Sequence, residues 1–201
     1  RLPVVKDGST VGLLTHERVM EVQSRRQADM ARQNKVLLER VVHDPLTGLA
    51  NRVLFERVLE RELAGARDRG GSVSVLELDI DHFKAVNDGH GHPVGDRVLG
   101  QLGRILRETL RRADLAARVG GEEFAVVLSR GGDSPQTAAE KLRKAVEDAS
   151  FGEEGEPLRI TVSVGCASSK DGEGPAALFK RADQALYEAK KTGRNRVVSA
   201  P

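Results

Sequence analysis

The chain has 201 residues, 39% of them hydrophobic and 31% charged, enough for one ordinary globular domain and a smaller addition. A formal net charge of +2 announces neither a nucleic-acid polymer nor a membrane surface as partner, and the single cysteine, Cys166, excludes an internal disulfide. No apolar run approaches the roughly 20 residues of a membrane span and no secretory leader is visible, so a cytoplasmic setting is expected.

The chain opens at Arg1 inside a strand-like run and is expected to be a piece of a longer protein. Two short apolar runs, RLPVV and TVGLL, flank Asp7-Gly8, a turn signal, and predict two strands within 1–14. From Thr15 to about Val42 no Gly or Pro intervenes, which predicts a long helix capped by Thr15. Met20, Gln23, Gln27, Met30, Asn34, Leu37 and Val41 fall at heptad spacing. That seam reads as a parallel coiled coil between two protomers, with a solvated linker helix as the alternative.

Beyond Asp44 the elements alternate. DPLTGLANR is a turn-rich entry, 51–67 an amphipathic helix, and 72–80 (SVSVLELDI) a central strand, apolar on both faces toward its end. A short helix over 82–87 is followed by DGHGHPVGD, read as a glycine-rich loop, then a helix over 95–111. Strands are expected over 115–119 and 123–128 around a Gly-Gly turn. A helix over 134–148, with Pro135 in its first turn, is followed by a strand over 159–167, where Cys166 reads as a small buried hydrophobe. A helix over 175–191 stopped by Gly193 and a last strand over 196–199 close the chain. The expected class is α/β, a mixed sheet flanked by helices.

Carboxylates gather at two strand ends, LDIDHFK and GGEEF. Side chains two apart on a strand share a face, so Asp79 and Asp81 point together. If the Gly-Gly turn lies beside them, Glu122 comes within reach, and carboxylates that converge repel unless a hard cation sits between them. Oxygen ligands suit Mg²⁺ or Mn²⁺. The alternative is two solvated turns with unrelated acids. The two glycines are expected to take positive φ and let the turn approach a nucleotide. In NDGHGHPVGD, Asn and Asp side chains can read a purine edge, because a carboxylate accepts from two adjacent donors, as guanine offers. In YEAKKTGRNR, Lys190 and Arg194 stand four apart and could hold a polyphosphate.

The blocks DPLTGLANR, LDIDHFKAVNDGHGHPVGD, RVGGEEF and ADQALYEAKKTGRNRV, in this order, make residues 44–198 resemble a GGDEF-family diguanylate cyclase. The resemblance implies a palm-like fold and condensation of two GTP into cyclic di-GMP with release of two pyrophosphates. It implies that Asp79, the carbonyl of Ile80 and Glu122 hold two Mg²⁺ (or Mn²⁺) per half-site. Asn87 and Asp96 would contact guanine, with His92 among the substrate contacts. Phe83 and Lys84 would line the phosphates, Lys84 stabilising developing charge, and Lys190 and Arg194 would hold the terminal phosphates. Glu122 or Glu123 would help deprotonate the attacking 3′-hydroxyl. Family members that make a mixed GMP–AMP product carry Ser where Asp96 stands, so Asp96 argues for GTP over ATP. His90 stands where the family often has Phe or Tyr.

Arg111-Arg112-Ala113-Asp114 stands at the family's offset from GGEEF for a product-binding inhibitory site, Arg111 and Asp114 holding guanine. Each domain holds one GTP, so two domains must face each other and a homodimer is expected. RLPVVKDGSTVGLLTHERV resembles the end of a CBS motif, with Thr15 kept and Arg18 replacing an Asp. That implies a sensory domain upstream, with an adenine nucleotide as its ligand class. The chain therefore divides into 1–14, a sensory remnant; 15–42, a linker; and 43–201, the cyclase domain. A degenerate domain acting as a GTP or cyclic di-GMP receptor is the alternative function.

Overall fold

The computed structural model describes residues 2–7, 9–14, 20–21, 42–129, 131–152 and 157–201. They fall into two units, Arg1–Val41 and Val42–Pro201.

In the first unit, β1 (Leu2–Lys6) and β2 (Ser9–Leu14) pair antiparallel around Asp7, whose φ is 50°. The two strands expected there are present, with a register shift between Val4 and Val5. The expected linker helix, its heptad seam, and Thr15 and Arg18 lie outside the described residues, apart from Met20, Glu21 and Val42, which are helical.

The second unit runs β3 (Ala50–Asn51), α1 (Arg52–Arg69), β4 (Ser74–Ile80), α2 (Phe83–His90), α3 (His92–Thr109), β5 (Leu115–Arg118), β6 (Glu123–Leu128), α4 (Pro135–Asp148), β7 (Val162–Ser168), α5 (Pro175–Lys191) and β8 (Val197–Ser199). The strands form one six-stranded sheet in the order β3-β5-β6-β4-β7-β8. β3 with β5 and β7 with β8 are parallel, and the inner pairs are antiparallel. The sheet is therefore mixed, as expected, and β4 is central.

Alternation along β4 divides the core. Leu76, Leu78 and Ile80 join Leu102, Leu106, Leu142 and Val146 of α3 and α4 on one face. Val75 joins Leu59, Leu63, Leu178 and Ala182 of α1 and α5 on the other. By the same period Glu77 and Asp79 lie on the α1/α5 side, buried at 5% and 7% exposure. α5 lies on β7 with no side chain between: a Cβ on Gly165 would stand 2.2 Å from the Ala182 carbonyl oxygen and the Leu186 nitrogen. That close approach carries the end of α5 over the end of β4.

The largest difference from the sequence reading is at NDGHGHPVGD. It is no loop: α2 runs on to His90 and α3 begins at His92, with Gly91 alone between them at φ 82°. The Gly91 N–H closes α2 on the Asn87 carbonyl (2.8 Å), and Pro93 sits in the first turn of α3, where no N–H is needed. Glycine richness masked a helix–helix corner. The strand expected over 159–167 begins only at Val162, and the strand β3 was not expected.

Candidate active site

The site is built on the last residues of β4. Asp79 pairs in register with Glu123 of β6 and with Ser163 of β7. The Gly-Gly turn thus does lie beside Asp79. Burial and the Asp79 charge push the Glu122 carboxyl above the usual glutamate range. Asp79 is raised as well, by burial first, with Lys190 acting against it. Lys190, from the last turn of α5, sets Nζ 2.8 Å from Asp79 Oδ2. Next along the same face, burial together with Asp183 and Glu123 pushes the Glu77 carboxyl up to about 8. Glu77 Oε2 is buried without a hydrogen-bond partner.

Asp81 has another task. β4 ends at Ile80, and the Asp81 carboxylate accepts from Thr161 Oγ1 (2.6 Å), Ser163 Oγ (2.6 Å) and the Asn195 N–H (3.0 Å). It ties β4 and β7 to the chain beyond α5.

The Gly-Gly turn is held differently from the expectation. Neither Gly120 nor Gly121 has positive φ. The Glu123 side chain folds over Gly120: a Cβ there would stand 2.1 Å from Glu123 Oε2 and would turn that carboxylate aside. The Val119 and Gly120 N–H groups both close on the Glu123 carbonyl (3.0 and 3.3 Å). Arg118 donates from Nε and Nη2 to the Gly121 carbonyl (3.0 and 2.7 Å) and from Nη1 to Asp44 (3.2 Å). Asp44 in turn accepts from the Thr47 N–H and hydroxyl. DPLTGLANR is more than the turn-rich entry expected: through Asp44 and Thr47 it braces GGEEF.

The candidate guanine residues come together across the corner at Gly91. Asn87 lies on α2, and Asp96 and His92 on α3, the last two exposed. A Cβ on Gly95 would stand 2.0 Å from Asn87 Oδ1 and 3.2 Å from Phe83 Cζ, so both side chains lie directly on the α3 backbone beside Asp96. Phe83 is buried and Lys84 exposed, at the start of α2. Arg194 is exposed beyond α5, with φ 59°.

Arg111 and Asp114 lie after the end of α3, away from this face. Arg111 Nη2 pairs with Asp114 Oδ1 at 3.0 Å and reaches the Ser129 carbonyl at 3.0 Å. Both line a cavity of about 240 Å³ together with Asp133, Lys141 and Leu142. Among the described residues no three His, Cys, Asp or Glu side chains converge to hold a metal by themselves. Two carboxylates with raised pKa, one already neutralised by an ammonium, are a donor set that fits a hard cation whose remaining ligands come from a backbone carbonyl and phosphates.

The family model of the diguanylate cyclase GGDEF domain matches residues 41–196. The diguanylate cyclase DgcP of Pseudomonas aeruginosa is 42% identical over 195 residues, covering 90% of this chain and 29% of that protein. The response regulator PleD of Caulobacter vibrioides is 40% identical over 189 residues, covering 89% and 40%. The chain thus spans less than half the length of these relatives. The coiled coil and GGDEF domain of DgcB from Caulobacter crescentus, solved in complex with c-di-GMP, superposes with a TM-score of 0.84 at 34% identity, covering 92% of this chain and all of that one. With the motifs, the sheet order and these matches in agreement, the chain belongs to the GGDEF diguanylate cyclase domain family.

Proposed function

We propose that the chain condenses two GTP into cyclic di-GMP, each of two facing domains supplying half of the site. The observation that carries this reading is the meeting of Asp79, Glu122 and Lys190 at the end of β4 beside the GGEEF turn. Asp79, the Ile80 carbonyl and Glu122 would hold Mg²⁺ or Mn²⁺, two ions per half-site in the family pattern. When bound, the metal supplies Lewis-acid polarisation of the phosphate and of the attacking hydroxyl. Asn87 and Asp96 orient guanine, helped by His92, while Phe83 backs Asn87. An adenine would leave the Asp96 acceptor unpaired. Lys84, Lys190 and Arg194 hold phosphate oxygens and offset the charge that develops on them. Glu122 or Glu123 would help take the 3′-hydroxyl proton, a task eased by a metal that lowers the pKa of a bound hydroxyl. Glu123, folded over Gly120, shapes the turn. The product returns to Arg111 and Asp114 as an inhibitor.

The test is turnover by the 201-residue protein with Mg²⁺ and GTP, ATP or both, the products identified by mass. Cyclic di-GMP from GTP alone is expected, and Glu122→Ala should abolish it. Absence of product under dimerising conditions would overturn the reading.

A further inference from the structure

Arg194 and Asn195 are consecutive residues with left-handed backbones, φ 59° and 45°. Side chains disfavour that region, and Asn tolerates it better than most. Such a turn persists only where its surroundings hold it. Here the surroundings are polar and come from the residue that follows β4 and from α4. The Asn195 N–H donates to Asp81 Oδ2 at 3.0 Å. Arg143 Nη1 on α4 donates to Asn195 Oδ1 at 2.7 Å, and Asn195 Nδ2 donates to Glu147 Oε1 at 2.6 Å. Asn195 is thus pinned at its backbone and at both ends of its amide.

Arg143 is itself fixed. It is 8% exposed, rises from a helix whose Leu142 and Val146 are in the core, and pairs with Glu140 at 2.7 Å and Glu147 at 2.8 Å. Its planar fork spends donors on Glu140, Glu147 and Asn195 together, which a lysine could not do. None of these side chains is among the residues assigned to the nucleotide, yet they end one peptide unit from Arg194.

We propose that Arg143, Glu147 and Asn195 are positioning residues that set Arg194 toward the terminal phosphates of the bound nucleotide. The proposal rests on the reading of Arg194 as a phosphate residue. A displaced Asn195 swings the Arg194 backbone and removes its guanidinium from the phosphates, while the guanine contacts at Asn87 and Asp96, on other elements, stay in place.

The experiment compares binding of 3′-deoxy-GTP, which cannot condense, with binding of GMP, by calorimetry with Mg²⁺ on the full chain. Asn195→Gly removes the amide but accepts the left-handed backbone, so the turn is not strained by the substitution. It should weaken the triphosphate about tenfold, as loss of a charged hydrogen bond does, and leave GMP unchanged. Glu147→Gln keeps an acceptor for Asn195 Nδ2 and should bind both ligands nearly as the parent does. Arg194→Met should reproduce the triphosphate loss, and adding Asn195→Gly to it should cost nothing more. An equal loss for GMP and triphosphate in Asn195→Gly, no loss for either, or full additivity with Arg194→Met overturns the positioning role. If Arg194→Met itself leaves the triphosphate unaffected, the phosphate role of Arg194 falls and the positioning role with it.

Discussion

At the scale of single residues, Asp44 shows how a remote side chain governs the GGEEF turn. Burial alone would raise its pKa. Two hydrogen bonds from Thr47 and the Arg118 guanidinium outweigh burial and hold the carboxyl below its ordinary value of 3.8. A depressed folded-state pKa means stability that is present above the unfolded value and lost as pH falls through the folded one. Replacing Asp44 with Asn should therefore cost about 1–2 kcal/mol in urea unfolding at pH 7. The gap between the two proteins should begin to narrow as the pH drops below 3.8 and close once the pH has fallen through the depressed folded-state value, where the folded carboxyl is protonated. A gap of the same size in acid would show that the charge is not what braces the turn.

At the scale of elements, what the sequence made legible was whatever depended on local period. The ends of β6 and α5 coincide with expectation, and β4 stands at the centre because its run is apolar on both faces until the acids begin. What stayed hidden depended on packing between distant segments. The corner at Gly91 looked like a loop because Gly89, Gly91 and Gly95 lower local helix preference. Gly95 is nevertheless helical, since Asn87 and Phe83 need its bare backbone. Gly120, too, lacks the positive φ expected of it and instead lies under the Glu123 side chain. No local pattern distinguishes Asp81, a structural tie, from Asp79, and no pattern in α4 betrays that Arg143 reaches Asn195 across 52 positions. Gly95→Ala tests the α2–α3 contact. The added methyl must push the Asn87 amide aside, so KM for GTP should rise roughly tenfold or more through the lost guanine hydrogen bonds. The melting temperature should move little, because Ala favours the helix. An unchanged KM would mean that Asn87 does not read the base.

At the scale of the whole molecule, two sites sit at different ends of one helix. The proposed reaction site gathers at the end of β4, between the α2–α3 corner and the last turn of α5, and the proposed product site lies beyond the far end of α3, beside α4. Arg111 has an exposed side chain already folded onto Asp114, so it needs no rearrangement of the fold to meet a guanine. Arg111→Ala should abolish inhibition by added cyclic di-GMP in progress curves while leaving the initial rate within about twofold, as expected for sites that couple only through binding free energy. Inhibition of undiminished strength would place the product elsewhere.

The contact between Lys190 and Asp79 carries a last implication, in terms of charge conservation. Before any cation or nucleotide arrives, the ammonium is the countercharge that opposes the upward push of burial on the Asp79 carboxyl. A divalent cation held at Asp79 makes that countercharge surplus. The lysine stem is long and flexible, and the ammonium can swing from the carboxylate to a phosphate without any movement of α5. On the proposed reading, a lysine displaced by the cation would be free to pair with a phosphate of the nucleotide. Metal without nucleotide would then turn Lys190 out into water, and nucleotide without metal would leave it on Asp79. On that reading, the site would favour the cation and the nucleotide together over either one alone.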